Sequence, residues 1–137
     1  MDSLSKQERS EIMSRVRSKN SRPELAVRKL VFALGYRYRL HAKELPGTPD
    51  LVFRPRRKVI FVHGCFWHRH ANCALARMPK SRLEFWGPKL EGNRQRDDKN
   101  KRALQKKGWK VLTIWECQLA KRERLEKMIR GFLDAER

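Results

Sequence analysis

Apolar residues between Ser21 and Gly35 recur with a spacing that predicts a helix. Ser21 can cap its start, Pro23 suits its first turn, and Gly35 is typical of the residue that follows a helix. The apolar side chains of this segment are expected to form its buried face: Leu25, Leu30, Val31 and Leu34. The pattern therefore predicts one well-anchored amphipathic helix.

A weaker helix is predicted before it. Ser5 and Glu8 have the spacing of a capping box, in which the two side chains satisfy each other's backbone N–H groups. Behind the box, Ile12, Met13 and Val16 form only a thin apolar stripe. We therefore expect residues 1–20 to form a helical arm that packs only weakly against the rest of the chain.

Four short segments have the alternating or continuous apolar pattern of strands. In chain order they are YRYRL (36–40), DLVF (50–53), VIFV (59–62) and WKVLTIW (109–115). The turn PGTP (46–49) precedes the second strand, and RPRRK (54–58) predicts a basic hairpin tip before the third.

Two more helices complete the prediction, one over about residues 88–107 that Gly108 ends, and one over residues 119–135. The order α-α-β-β-β-loop-α-β-α predicts an α/β fold with a mixed central sheet flanked by helices. The chain shows no internal repeat and no linker, so residues 1–137 are expected to form a single domain.

The charge of the chain points to a polyanionic partner. Lysine and arginine number 34 against 15 acidic residues, which gives a net charge of +19. Such an excess repels itself, and nucleic acid relieves the repulsion. No apolar run approaches the roughly 20 residues of a membrane span, and the polar N-terminus carries no secretory signal. We therefore expect a cytoplasmic protein whose cysteines serve metals or catalysis rather than disulfides.

One loop of eleven residues, HGCFWHRHANC, holds three of the four histidines and two of the three cysteines. Cys65 and Cys73 bracket the loop, and Cys117 ends a strand expected beside VIFV. Three cysteines and one histidine, either His68 or His70, would make a tetrahedral zinc site. Buried cysteines without a metal are the alternative, but all three lie at strand ends or in a polar loop.

A zinc site of this kind leaves two histidines of the loop without a structural task. A histidine whose pKa is near neutral suits a general base that acts on water. Asp50 opens the strand that precedes VIFV, so its carboxylate could lie beside a main-chain carbonyl at a neighbouring strand end. Such oxygens suit Mg²⁺, which can polarise a phosphodiester. An ordinary turn aspartate is the alternative.

Six stretches together resemble the very short patch repair (Vsr) endonucleases. They are SRPELAVRKL, YRYRLH, LPGTPDLVF, VIFVHGCFWHRH, EFWGPKLEGNRQRD and GWKVLTIWEC. They follow the family's order over about residues 13–117, and the HGCFWH core and the terminal WEC are the most specific parts. The resemblance implies a fold like that of type II restriction endonucleases, with a structural zinc site added. It also implies strand-specific nicking of DNA 5′ to the thymine of T·G mismatches, which arise when 5-methylcytosine deaminates.

The resemblance implies a role for each catalytic position. Asp50 would hold a catalytic Mg²⁺, with the main-chain carbonyl of Val62 as a further ligand. His68 would be the general base on the attacking water, and His63 would assist at the phosphate. Glu24 would support the metal-bound waters. Valine stands at position 62 where some members carry threonine, which leaves the carbonyl contribution intact.

The resemblance also implies the structural metal site and the contacts to DNA. The zinc ligands would be Cys65, His70, Cys73 and Cys117. The DNA contacts would be made by Phe66, Trp67, Trp86, Lys89, Asn93 and Met13. The three aromatic residues match a wedge that enters the base stack, Lys89 and Asn93 match contacts to the mismatched bases, and Met13 matches a residue that inserts from the opposite groove. Without the resemblance, core packing for Trp86 and a solvated basic face for Lys89 are the simpler interpretations.

Partners follow from the same resemblance. It implies double-stranded DNA with a T·G mismatch, a companion DNA cytosine-5 methyltransferase and the mismatch-repair protein MutL. A monomer working at the bacterial nucleoid is expected. A non-catalytic zinc module that binds mismatched or bent DNA is the main alternative. A ββα-metal nuclease fits poorly, because no histidine follows Cys73.

Overall fold

The structure is a computed structural model, and it describes residues 21–76 and 83–135. The helices are α1 (Arg22–Ala33), α2 (Leu83–Lys106) and α3 (Arg122–Asp134), and the strands are β1 (Arg39–Leu40), β2 (Leu51–Phe53), β3 (Lys58–His63) and β4 (Lys110–Trp115). The predicted N-terminal arm, with Met13, lies outside the described residues.

The strands form one mixed sheet in the order β1-β2-β3-β4. The pairs β1–β2 and β2–β3 are antiparallel, whereas β3 and β4 are parallel, and α2 lies in the connection between them. A 3₁₀ turn at Arg54–Arg56, followed by Arg57 with a φ of 55°, joins β2 to β3. The predicted hairpin tip and the predicted mixed sheet with flanking helices are both confirmed.

The sheet has a core on each face, because successive residues of a strand point to opposite sides. One core joins α1 and α3 to the sheet, and its buried residues are Val27, Leu30, Val31, Tyr36, Leu51, Phe53, Ile60, Ile114, Leu125, Ile129 and Leu133. The second core joins the end of α2 to the other face, through Leu104, Val52, Val59 and Trp109. Packing on both faces therefore positions the strand ends that border the site.

Helix α1 has the predicted bounds but not quite the predicted buried face. The Ser21 hydroxyl accepts a hydrogen bond from the N–H of Glu24 at 3.4 Å, and Gly35 follows the helix with a φ of 99°. The prediction is wrong at Leu25, which is 41% exposed. With 3.6 residues per turn, Leu25 points away from the stripe that Leu30 belongs to. Glu24 takes an inward position instead and is 4% exposed.

Three other predicted bounds are wrong. β1 is limited to Arg39–Leu40. The N–H of Tyr36 donates to the Val31 carbonyl at the end of α1 instead of pairing with a strand, and the Tyr36 side chain packs into the core. α2 begins five residues before Pro88, so this proline lies inside the helix. A proline inside a helix costs about 3 kcal/mol through the lost hydrogen bond and a steric clash. Burial of Trp86, two residues earlier, offsets part of this cost.

The last helix is shorter than predicted. α3 starts at Arg122 rather than at residue 119, because Glu116–Ala120 forms a 3₁₀ turn after β4. This turn places Cys117 immediately beyond the strand end. Within the described ranges, no helix combines the length and the apolar character that crossing a membrane requires.

Candidate active site and metal centre

The edge of the sheet at which β3 ends borders a cleft of about 1180 Å³. β2 runs antiparallel to β3 and β4 runs parallel to it, so the start of β2 and the ends of β3 and β4 meet there. The side chains around the cleft include Glu24, His41, Asp50, His63, His68 and Asp97.

Asp50 is fixed to the neighbouring strand by its side chain. Its Oδ2 accepts a hydrogen bond from the N–H of Val62 at 2.7 Å. Because the N–H and C=O of one strand residue point to the same side, the Val62 carbonyl faces the edge that Asp50 occupies. Burial raises the pKa of Asp50 to about 7. The Val62 N–H opposes this shift and the Glu24 carboxylate adds to it. A carboxyl group in this position is stabilised by a cation.

Glu24 reaches the same cleft from α1. It forms hydrogen bonds with His41 at 2.8 Å and with Arg28. Glu24, His41 and Asp50 each offer one ligand atom, and these atoms lie within 4.8 Å of one another. The predicted pairing of Glu24 with Asp50 around one site therefore agrees with the geometry, and the oxygen-rich donor set suits a hard cation such as Mg²⁺.

Two histidines face the carboxylates across the cleft. His68 Nδ1 lies 2.5 Å from Asp97 Oδ2, a hydrogen-bond distance. The His63 ring stacks on the His68 ring, with centroids 3.9 Å apart and an angle of 7° between the planes. Burial lowers the pKa of His63 to about 3, and the neighbouring His68 adds to the shift while Asp97 opposes it. His63 is therefore neutral at working pH, and its Nδ1 lies 3.9 Å from Asp97, farther than that of His68.

His41 and Asp97 are site residues that the sequence analysis missed. His41 follows β1, and the pairing of Leu40 with Leu51 places it opposite Asp50. The hairpin register would have revealed it. Asp97 continues the helical face of Lys89 and Asn93 at the same spacing of four residues. This spacing could have indicated from the sequence that Asp97 belongs to the site.

A second cluster lies next to the cleft and contains three cysteines and one histidine. Each of Cys65, His70, Cys73 and Cys117 offers one ligand atom, and the four atoms lie within 4.8 Å of one another. His70 Nδ1 is 3.6 Å from the Cys65 sulfur and 3.4 Å from the Cys117 sulfur. Three thiols and one imidazole at this spacing match the donor set of structural zinc sites.

His68 and His70, which the sequence left as alternative zinc ligands, lie in different surroundings. His70 lies among the sulfurs, and its ring stacks on Trp115 with centroids 4.2 Å apart. His68 lies with Asp97 instead. Burial raises the pKa of Cys65 to about 12. A buried thiol of this kind becomes a thiolate when a metal replaces its proton.

The three aromatic residues predicted to form a wedge contact one another. The ring centroids of Phe66, Trp67 and Trp86 lie 5.0–5.6 Å apart in edge-to-face arrangements. Trp86 is only 7% exposed, whereas Phe66 and Trp67 are half-buried. Trp86 thus supports the other two from α2, and insertion of the cluster into DNA stays a prediction.

The predicted base-contacting residues lie on the same part of α2. The Asn93 amide donates a hydrogen bond to the Trp67 carbonyl at 3.1 Å, which ties the metal-cluster loop to the helix. Lys89 is half-buried one turn earlier. Both residues therefore lie beside the aromatic cluster, and their contact with bases stays a prediction.

The chain is similar in sequence to known DNA endonucleases. The family model for DNA mismatch endonuclease Vsr matches residues 1–75, more than half of the chain. The chain is 53% identical over 133 residues to the type II nicking enzyme V.XorIIP of Xanthomonas oryzae pv. oryzae, covering 97% of each. It is 41% identical to the type II nicking enzyme V.NmeAIP of Neisseria meningitidis, covering 98% of each. It is also 41% identical to the DNA mismatch endonuclease Vsr of Escherichia coli, covering 85% of this chain and 74% of that relative.

Proposed function

Because the chain belongs to the Vsr family of DNA mismatch endonucleases, we propose that it nicks one DNA strand 5′ to the thymine of a T·G mismatch. It is a nuclease that acts on DNA, and its family implies a fold like that of restriction endonucleases. The proposal for its mechanism is carried by one observation: Asp50 and the Asp97–His68 pair line the same cleft.

The carboxylate side of the cleft would hold Mg²⁺ through Asp50 and the Val62 carbonyl, with Glu24 acting through metal-bound water. When bound, Mg²⁺ polarises the phosphodiester and stabilises the negative charge that develops on it. The protein's own contribution is positional. The hydrogen bond from the Val62 N–H prevents rotation of the Asp50 carboxylate.

The histidine side would supply the general base. Asp97 accepts the Nδ1 proton of His68 and so holds the tautomer in which Nε2 carries a lone pair. In hydrolysis, a water oxygen attacks phosphorus, and Nε2 of His68 takes a proton from that water. The bond from phosphorus to the leaving sugar oxygen breaks, and this oxygen takes a proton from solvent water. Neutral His63 stacks on His68 and so helps to orient its ring, and we propose that it assists at the phosphate.

Zinc bound by Cys65, His70, Cys73 and Cys117 would brace the loop that carries His68, Phe66 and Trp67. Bracing matters here because a displacement of about 1 Å at a reacting group can cost roughly 10² in rate. Phe66 and Trp67 would enter the base stack from this loop. Unstacking costs least at a mismatched step, which gives the enzyme part of its selectivity.

The cellular setting is proposed on the family alone. Double-stranded DNA with a T·G mismatch is the substrate, MutL and a DNA cytosine-5 methyltransferase are functional partners, and the enzyme works as a monomeric single domain in the bacterial cytoplasm. The arm over residues 1–20 contacts the DNA, with Met13 entering the groove opposite the aromatic wedge.

The competing function is a zinc module that binds mismatched or bent DNA without cutting it. It would leave both the half-buried Asp50 and the Asp97–His68 pair without a task. The variant Asp50→Asn separates the two functions, because asparagine keeps an acceptor for the Val62 N–H but loses the charge. We expect nicking to fall at least about 10³-fold while binding of a T·G duplex in Ca²⁺ stays within about threefold. Nicking at the parental rate would contradict the proposed mechanism.

A further inference from the structure

Glu24 is held by two basic side chains that the proposed chemistry does not use. Arg28 and His41 both contact the same carboxylate oxygen, Oε2, and the His41 contact measures 2.8 Å. The side chains of Arg28, His41 and Glu24 are 15%, 11% and 5% exposed. Such burial makes the contacts persistent, since few waters compete for them.

Both contacts are anchored to the hairpin that carries Asp50. The Tyr38 hydroxyl donates to the Arg28 carbonyl at 3.2 Å, and the N–H of His41 donates to the Asp50 carbonyl at 3.3 Å. The orientation of Glu24 on α1 is thereby linked to the position of Asp50 at the start of β2. Sequence reasoning gave neither Arg28 nor His41 a role.

His41 is close enough to Asp50 and Glu24 to be considered a metal ligand itself. The position of Arg28 argues against that role. A cation bound between His41 Nε2 and Glu24 Oε2 would lie against the Arg28 guanidinium, which contacts that oxygen and lies 3.5 Å from Nε2. Two positive charges at this separation repel, and the guanidinium cannot lose its proton.

We propose that Arg28 and His41 are positioning residues, which clamp Oε2 of Glu24 so that its other oxygen is oriented toward the Asp50 metal position. This inference rests on the proposed function, because it assigns a task to two residues of the same site. A carboxylate held through one oxygen presents the other in a single orientation. Outer-shell partners of this kind typically change metal affinity or activity by about 10–100-fold when removed.

The first test compares His41→Gln with His41→Leu, which have similar volumes but differ in hydrogen bonding. The glutamine amide can donate to Oε2 of Glu24, and leucine cannot. Two quantities are measured for each variant: the affinity for Mn²⁺ by calorimetry in the absence of DNA, and the single-turnover nicking rate. We expect His41→Leu to lose about 10–100-fold in both, and His41→Gln to stay within about fivefold of the parent. Equal values for the two variants would overturn the clamp.

The second test covers the case in which His41 variants fold poorly. Arg28→Met is compared with Lys29→Met, which removes the same charge from the exposed neighbouring position of α1. Both should weaken DNA binding similarly, but only Arg28→Met should weaken Mn²⁺ binding and lower the rate at saturating DNA. Equal Mn²⁺ affinity in the two variants would overturn the role of Arg28.

The outcomes distinguish this inference from the proposed function. If the parent protein fails to nick T·G duplexes, the function is wrong, whatever the variants show. If the parent nicks them but His41→Leu and Arg28→Met match it in rate and in Mn²⁺ affinity, only the clamp is wrong. If His41→Gln loses as much affinity as His41→Leu, the imidazole binds the metal directly, and the positioning role is wrong.

Discussion

At the scale of single residues, Asp50 and Glu24 form an electrostatically unfavourable pair that a bound cation would stabilise. Asp50 is half-buried beside a second carboxylate, and the loss of solvation raises its pKa from the usual 3.8 to about 7. The folded protein therefore tolerates the protonated form better than the charged form. As pH rises from about 4 through 7, ionisation of Asp50 costs stability in the folded state that it does not cost in the unfolded chain.

Replacing Asp50 with asparagine should accordingly stabilise the protein when no Mg²⁺ is present. A shift of about three pKa units corresponds to at most about 4 kcal/mol, so we expect a gain of about 1–4 kcal/mol at pH 8.5 and little gain at pH 4. Denaturant unfolding at both pH values measures it, with exposed Glu91→Gln as the control. If Asp50→Asn does not increase the free energy of unfolding at pH 8.5, or increases it more at pH 4, the charge of Asp50 is not desolvated in the folded protein.

Asp97 should matter for rate far more than for binding. Asp97→Asn offers His68 Nδ1 an amide that can favour the wrong tautomer, and we expect a loss of about 10²–10⁴ in the single-turnover nicking rate. Asp98→Asn removes the same charge from an exposed neighbour that pairs with Arg102, and it should nick at close to the parental rate. Equal rates for the two variants would remove Asp97 from the mechanism.

At the scale of elements, the hairpin tip and the last helix depend on each other. Lys58 is 1% exposed, and its Nζ donates to the carbonyls of Phe132 at 2.6 Å and Ala135 at 2.5 Å. The last carbonyls of a helix have no partner within the helix and carry partial negative charge, so a buried ammonium group satisfies them. Lys58 thus links the end of α3 to the start of β3 through hydrogen bonds.

Lys58→Met keeps most of the side-chain volume but removes these hydrogen bonds. We expect the free energy of unfolding to fall by about 2–4 kcal/mol, because the carbonyls lose a charged donor. Lys110→Met, at the paired position of β4 but exposed, serves as the control. Nicking per folded molecule should be unchanged in both, since this end of the sheet is opposite the cleft. An unfolding midpoint equal to that of the control would show that the hydrogen bonds of Lys58 do not contribute to stability.

The loop after β3 illustrates how one element serves two centres. His70 is expected to bind zinc and His68 to act at the phosphate, although only one residue separates them. We therefore expect His70→Ala to be purified with much less than one zinc per chain and His68→Ala to keep one zinc but lose nicking. Zinc content by atomic emission and nicking rate measure the two effects. Zinc loss in His68→Ala with retention in His70→Ala would reverse the assignment.

At the scale of the whole molecule, the parts that sequence could predict are those encoded locally. The cysteines, the loop histidines and Asp50 are marked by short motifs, and the positions of the strands along the chain follow from short apolar runs. Leu25 was misplaced because hydrophobicity alone does not show that Glu24 faces inward. His41 and Asp97 required contacts between distant segments, namely the β1–β2 register and the packing of α2 against the loop. Arg28 becomes informative only once Glu24 is known to be buried.

The central claim is that this basic chain is an enzyme for one lesion, and mapping the nick tests it most directly. End-labelled duplexes with a single T·G mismatch in randomised flanks are incubated with the protein and Mg²⁺, beside matched T·A and C·G duplexes. We predict a cut in the thymine strand only, immediately 5′ to the mismatched T, in a subset of flanks, and no cut in matched DNA. Tight binding with no cut in any flank, or equal cutting of matched duplexes, would contradict the account.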